Sequence, residues 1–235
     1  MNSLHHFLFN IYPYICLAVF LLGSLLRFDR DQYSWKSDSS QLLRAGQLRW
    51  GSNLFHIGVL FLFFGHSFGM LTPHFIYEPF ISAGNKQLVA MVSGGAAGLL
   101  GFIGVSILLH RRLSDARIRA NSRTSDIVLL WLLWAQLALG LATIPLSAQH
   151  LDGSMMLKLA EWAQRIVTLR SGAADLLVDA GWIFQTHMAL GMTIFLVFPF
   201  TRLVHVWSGF GTLAYVARPY QVVRNRRLGV PGNSR

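Results

Sequence analysis

The chain has 235 residues, 53% hydrophobic and 13% charged, with a net charge of +10 and a mean hydropathy of +0.45. Soluble domains carry about twice that share of charge, so the composition excludes a water-soluble globular protein and points to one that lives in a bilayer. The single cysteine, Cys16, excludes a disulfide framework, a cysteine-held iron–sulfur cluster and covalently attached haem.

Five stretches reach the roughly 20 apolar residues that a bilayer core requires: 5–26, 53–71, 88–109, 127–148 and 182–200. None contains Asp, Glu, Lys or Arg. The predicted fold is therefore an all-α integral membrane protein with five transmembrane helices. The first stretch begins MNSLHH, without a basic lead, and is followed by Arg27 and Arg30 rather than a cleavage site. It reads as a retained span, not a signal peptide.

The connections alternate in charge. Sixteen of the 20 Lys and Arg fall after spans one, three and five, and only Lys86, Lys158, Arg165 and Arg170 fall on the other side. The positive-inside rule then places the amino terminus outside and the carboxy terminus inside. A basic inner face is first of all this topology signal. It also leaves room for an acidic protein partner, while nucleic acid is not expected. The connections are short and there is no internal repeat, so residues 1–208 form the membrane domain, in contact with lipid, and 209–235 a basic cytoplasmic tail. Chemistry on the aqueous side needs another subunit.

Span two carries two histidines in SNLFHIGVLFLFFGHSFG (52–69). A polar ring in hydrocarbon is costly and marks a functional-site candidate whose partner should be nameable. His56 lies toward the inner face and His66 about 15 Å further out. Gly58, Gly65 and Gly69 lie in the same span, and Gly94, Gly98, Gly101 and Gly104 in span three. Such small residues serve either close helix packing or the approach of a flat macrocycle. Lys86 stands where span three enters from outside. It is either a snorkelling anchor or a cation that donates to a quinol oxygen and stabilises charge developing there.

Between spans four and five, HLDGSMMLKLAEWAQRIVTLR (150–170) predicts a short interfacial helix that lids the bundle. Ser154 is its expected N-cap, and Leu159, Trp162, Ala163 and Ile166 its apolar stripe. Span five carries His187 near its outer end and His205 just past its inner end. Antiparallel geometry pairs His66 with His187 at the outer level and His56 with His205 at the inner level.

Two such pairs suit two bis-histidine haems, each iron taking one imidazole from either side. Along a continuous helix the 18 residues from His187 to His205 return to the same face at about 100° each, whereas His56 and His66 differ by about 80°. The rises also differ, about 27 Å against about 15 Å, so Pro199 is expected to bend span five. The other reading is that these histidines hydrogen-bond helices together. Zinc fits less well, because no carboxylate or thiolate accompanies the imidazoles. Arg111, Arg112 and Arg202 are either partners of haem propionates or ordinary flanks. His5, His6, His74, His110 and His150 lie near span ends, where a ring is wet and needs no role.

The strings NIYPYI (10–15), SNLFHIG and GHSFGMLTPH (52–74), TIPLSAQHLDGS (143–154) and FPFTRLVHVWS (198–208) together resemble the gamma, or cytochrome b, subunit of membrane-bound respiratory nitrate reductase. The resemblance implies that His66 and His187 hold the outer, distal haem b, and His56 and His205 the inner, proximal one. It implies a quinol site at Lys86, Gly65 and His66, taking menaquinol or ubiquinol. It also implies a cytoplasmic iron–sulfur subunit and a molybdenum-containing catalytic subunit as partners, at the bacterial inner membrane. Quinol would be oxidised near the outer face, with protons released outside and electrons passed inward for nitrate reduction. The alternatives are a haem b subunit of a quinone-reducing formate dehydrogenase or hydrogenase complex, and a membrane anchor or metal transporter without haem.

Overall fold

The computed structural model describes residues 3–30 and 43–208. Five helices are long and apolar enough to cross a membrane: α1 (Ser3–Arg30), α2 (Ala45–Leu71), α3 (Ala83–Ser114), α4 (Thr124–Ser147) and α5, whose regular part is Trp182–Val197 within a span reaching Phe200. The expected stretches all fall on these helices. α2 and α3 overrun them, because once helix is nucleated the flanking polar turns continue it at little cost. The proposed basic tail, 209–235, and Lys36 lie outside the described residues.

α2 packs on α3, α3 on α4, α4 on α5, and α5 on α1. Glycine sets the closest of these approaches. A Cβ at Gly58 would overlap the backbone of Ala97 and Gly101, and one at Gly104 would overlap the backbone of Phe55. Bare backbones meeting in this way gain dispersion contacts where water offers no hydrophobic drive. Phe55, Val105 and Leu137 form the shared core of α2, α3 and α4, and the Trp134 indole donates to Ser106 Oγ at 3.1 Å. α1 and α5 join through Tyr12 and Thr193, whose hydroxyls lie 2.9 Å apart, and through the Phe20 ring set edge-on against Phe195 and Phe198.

α1 contains a π-helical turn at Phe7–Ile11. Pro13 has no N–H to give to the carbonyl four residues before it, that of Phe9. The Trp162 indole takes that carbonyl instead, at 2.9 Å. Trp162 belongs to the expected interfacial helix, found at Ser154–Val167. Its predicted stripe is the face turned to the bundle: Trp162 and Ile166 are buried, and Leu159 and Ala163 pack beside them. The cap differs from expectation. Gly153 occupies the N-cap position with φ of 82°, a left-handed conformation that favours glycine, while Ser154 Oγ donates to Asp152 at 2.9 Å. The Gln164 amide donates to the carbonyls of Met70 (2.9 Å) and Thr72 (3.3 Å), pinning this lid onto the end of α2.

The arginines gather at the opposite end of the bundle. Arg44 pairs with Asp115 at 3.0 Å, and Arg112 and Arg202 converge on Asp126 at 3.4 and 3.9 Å. α2 and α5 face each other between this basic end and the lid end.

Candidate functional site

On that face the two expected histidine pairs meet. The rings of His66 and His187 have centroids 6.5 Å apart, toward the lid. Those of His56 and His205 have centroids 6.3 Å apart, toward the basic end. An imidazole nitrogen binds a first-row metal at about 2.0–2.1 Å and its centroid lies about 1.1 Å behind that nitrogen, so axial rings on either side of one iron have centroids about 6.3 Å apart. Both pairs match that spacing. They are too far apart for the rings to hydrogen-bond each other.

The tautomers agree. His56 Nδ1 lies 2.7 Å from the Ser52 carbonyl and His66 Nδ1 2.8 Å from the Leu62 carbonyl; His205 Nδ1 bonds the Arg202 carbonyl. A carbonyl only accepts, so each Nδ1 carries the proton and each Nε2 keeps its lone pair for a metal. Burial, with positive charge nearby, pushes His205 below its ordinary pKa, favouring the neutral ring that ligation needs. Nδ1 of His187 is buried without a partner in hydrogen-bond geometry; the acceptor it faces is the Gln136 carbonyl on α4. Gly140, one turn on, leaves room for this ring: a Cβ there would lie 3.0 Å from His187 Cε1. Among the described residues no three His, Cys, Asp or Glu side chains gather as an ion site would require. Two facing imidazoles at each level are a donor set that fits haem.

His205 does not reach its place along a continuous helix, so the 18-residue arithmetic is not what aligns it with His187. α5 ends at Val197, a 3-10 turn follows at Phe198–Phe200, Thr201 is extended (φ −118°, ψ 177°), and a second 3-10 turn covers Arg202–Val204. Pro199 breaks the helix because its ring cannot continue the bonding pattern. α1 stabilises the break. Arg27 donates to the carbonyls of Pro199 (2.6 Å) and Thr201 (2.9 Å), and Gly23 lets Pro199 come so close that a Cβ would lie 2.9 Å from its Cγ.

The glycines divide between the two expected roles. Gly58, Gly98, Gly101 and Gly104 are packing residues. At Gly65 and Gly69 on α2 and Gly94 on α3, nothing among the described residues lies within 4 Å of where a Cβ would stand, so α2 carries bare backbone near His66. Arg111 is 2% exposed and donates to the Leu43 carbonyl, so it is taken up in packing at the start of α2. Arg112 and Arg202 share Asp126, and Arg202 lies beside His205. His5 also departs from expectation: both its ring nitrogens are enclosed with no partner among the described residues, and the ring lies against Phe9 with centroids 4.9 Å apart. His6 meets Asn10 at 3.2 Å and His74 pairs with Glu78 at 3.2 Å.

Lys86 reaches back to α2 instead of snorkelling away. Its ammonium donates to the Gly69 carbonyl at 2.9 Å and sits 3.4 Å from the centroid of the Tyr77 ring. Gly69 is three residues past His66, a rise of about 4.5 Å. Lys86, Gly65 and His66 thus lie in one neighbourhood, as expected. Sequence reasoning missed Arg27, Gln136, Gly140 and Tyr77. The first read as a charge flank and the others as span or loop composition; only Gln136, a polar residue inside an apolar span, carried a usable signal.

The family model for the nitrate reductase gamma subunit matches residues 5–226. The chain is 55% identical to the respiratory nitrate reductase 2 gamma chain of Escherichia coli (strain K12), over 97% of this chain and 100% of that one. It is 53% identical to the respiratory nitrate reductase 1 gamma chain of the same organism, over 96% and 100%. It is 37% identical to the nitrate reductase gamma chain of Bacillus subtilis (strain 168), over 93% and 97%.

Proposed function

The chain belongs to the nitrate reductase gamma subunit family, and we propose that it oxidises quinol beside its outer histidine pair and sends the electrons inward across the membrane. It is the membrane-anchoring cytochrome b subunit of a respiratory nitrate reductase. Its partners are an iron–sulfur subunit and a molybdenum subunit on the cytoplasmic side, where nitrate is reduced. The lid end faces outward and the basic end inward, a reading supported by the sixteen-to-four division of Lys and Arg under the positive-inside rule.

The observation that carries the proposal is the pair of ring separations, 6.5 and 6.3 Å, stacked between the two ends of one bundle. His66 and His187 would hold an outer haem b, and His56 and His205 an inner one. When bound, the two haems supply one-electron carriers in line from the lid end to the basic end. The protein holds the proton of His56, His66 and His205 on Nδ1 and so keeps their Nε2 available. Gly65 and Gly69 leave backbone uncovered where a flat ring would lie.

At the quinol site, the Lys86 ammonium donates to the Gly69 carbonyl and sits over the Tyr77 face. An ammonium has three donors, so one remains for a quinol oxygen. Its charge stabilises the negative charge that grows on that oxygen as the quinol loses its protons. Those protons leave on the lid side while electrons move to the opposite end, which makes turnover electrogenic.

The test is haem quantitation on the intact complex with reduced-minus-oxidised spectra, in the native protein and in His66→Ala, His187→Ala, His56→Ala and His205→Ala. Two b-type haems are expected, with the first two variants lacking one and the last two lacking the other. Loss of different haems from His66→Ala and His187→Ala would overturn the pairing. Lys86→Ala is expected to slow menaquinol oxidation with both haems present; unchanged kinetics would return Lys86 to an anchoring role.

A further inference from the structure

A quinol site built on lysine needs the ammonium held in one place, and a four-carbon stem does not hold itself. We propose that Tyr77 is the positioning residue for Lys86, its ring face seating the ammonium so that the third N–H points at the quinol oxygen. The inference rests on the quinol reading of Lys86 and gives the neighbouring Tyr77 a role there.

Two directions at Nζ are already set, by the Gly69 carbonyl at 2.9 Å and the Tyr77 centroid at 3.4 Å. With the bond to the stem they fix the nitrogen's tetrahedron, and the remaining N–H has one direction left. The Tyr77 seat is itself firm. It closes the short helix His74–Tyr77 behind Pro73, and its carbonyl accepts from Phe80 (2.9 Å) and Ile81 (3.0 Å). The chain leading to it is held by Gln164 of the lid through Met70 and Thr72. Tyr77 is 9% exposed, so the ring is dry on its other sides, which strengthens attraction between a cation and a ring face.

The hydroxyl plays no part in this role. It is enclosed and has no partner among the described residues. Burial first, and then the carboxylate of Glu78, hold it above the ordinary phenol value, so it stays protonated through the physiological range. A hydroxyl with no acceptor does not relay protons, and phenylalanine presents much the same face to a cation. The ring-seat reading therefore predicts rescue by Phe, and a proton-relay reading predicts failure.

The experiment uses the complete membrane-bound complex with menadiol as electron donor, and reduced viologen as a donor that bypasses the quinol site. Tyr77→Leu should lower kcat with menadiol about two- to thirty-fold, the range set by cation–π energies. KM should change little, because the seated charge acts on the transition state; haem content and viologen-driven nitrate reduction should persist. Tyr77→Phe should restore kcat. Native kcat in Tyr77→Leu overturns the proposal, as does a Phe variant as slow as the Leu variant. If Leu costs the complex its haem, Tyr77→Met is measured instead, and haem loss there too makes Tyr77 a packing residue and overturns it. Lys86→Ala separates the two ideas. Native quinol kinetics in that variant defeat the quinol reading itself, whereas a slow Lys86→Ala beside a native-rate Tyr77→Leu defeats only the seat.

Discussion

Replacing Arg27 by methionine tests whether α1 sets the inner haem site. Methionine keeps an unbranched stem of similar reach and removes every donor. Arg27 donates to the carbonyls of Pro199 and Thr201, which holds the broken end of α5 where His205 meets His56. A hydrogen bond from a charged group contributes about 1.5–3 kcal/mol. Arg27 is partly exposed, so the lower figure applies, and two such bonds amount to about 3 kcal/mol. At about 1.4 kcal/mol per tenfold, that is roughly a hundredfold shift in the equilibrium favouring the His205-in-place conformation. The assay is haem-to-protein ratio through detergent dilution, with a potentiometric titration that resolves the two haems. The inner haem should be released or shifted in potential while the outer one is unchanged, because His66 and His187 make no contact with the break. Equal loss of both haems, or release of the outer haem first, would refute the reasoning.

Gly58→Val should weaken or abolish assembly of the α2–α3 pair, since its Cβ overlaps the Ala97 and Gly101 backbone; haem content and thermal inactivation of the complex would show it. Gly65→Ala meets no protein atom, so the fold and His66 ligation should survive while menaquinol turnover falls. Equal damage from both substitutions would contradict the division of the glycines. Gly140→Ala places a methyl 3.0 Å from His187 Cε1 and should rotate that ring, changing the outer haem's low-spin EPR signal and leaving the inner one as it was. Trp162→Phe leaves the Phe9 carbonyl without its donor, in a span where Pro13 cannot supply one. A destabilisation of about 1–3 kcal/mol is expected, read as a lower inactivation temperature without loss of either haem spectrum in the cold.

Much of the architecture was legible because a bilayer imposes simple rules. Runs of about 20 apolar residues must be helices, since no water is present to satisfy the backbone. Alternating Arg-rich connections suggest an orientation, and four histidines stand at complementary depths on two antiparallel spans. The lid stripe was legible for a similar reason, because Leu159, Trp162, Ala163 and Ile166 recur at helical spacing. Its cap was not: Ser154 is a good cap by type, but the chain needed φ of 82° one residue earlier, where only Gly153 serves.

What the sequence by itself determined is which elements exist and which histidines stand near one another, both consequences of local periodicity and of the cost of polar groups in hydrocarbon. Tertiary structure alone decided how the pairs reach bonding distance. The 80° offset on α2 and the unequal rises are reconciled by a break in α5 after Val197, and that break is stabilised by Arg27 and Gly23 on a helix more than 170 residues earlier. It also decided that Gly58 packs and Gly65 does not, and that Lys86 rests on Tyr77. The physical reason is the same in each case: spacing along a chain specifies a face and a depth, whereas contact depends on how closely and at what angle separate helices approach, and that is set by side chains remote in sequence.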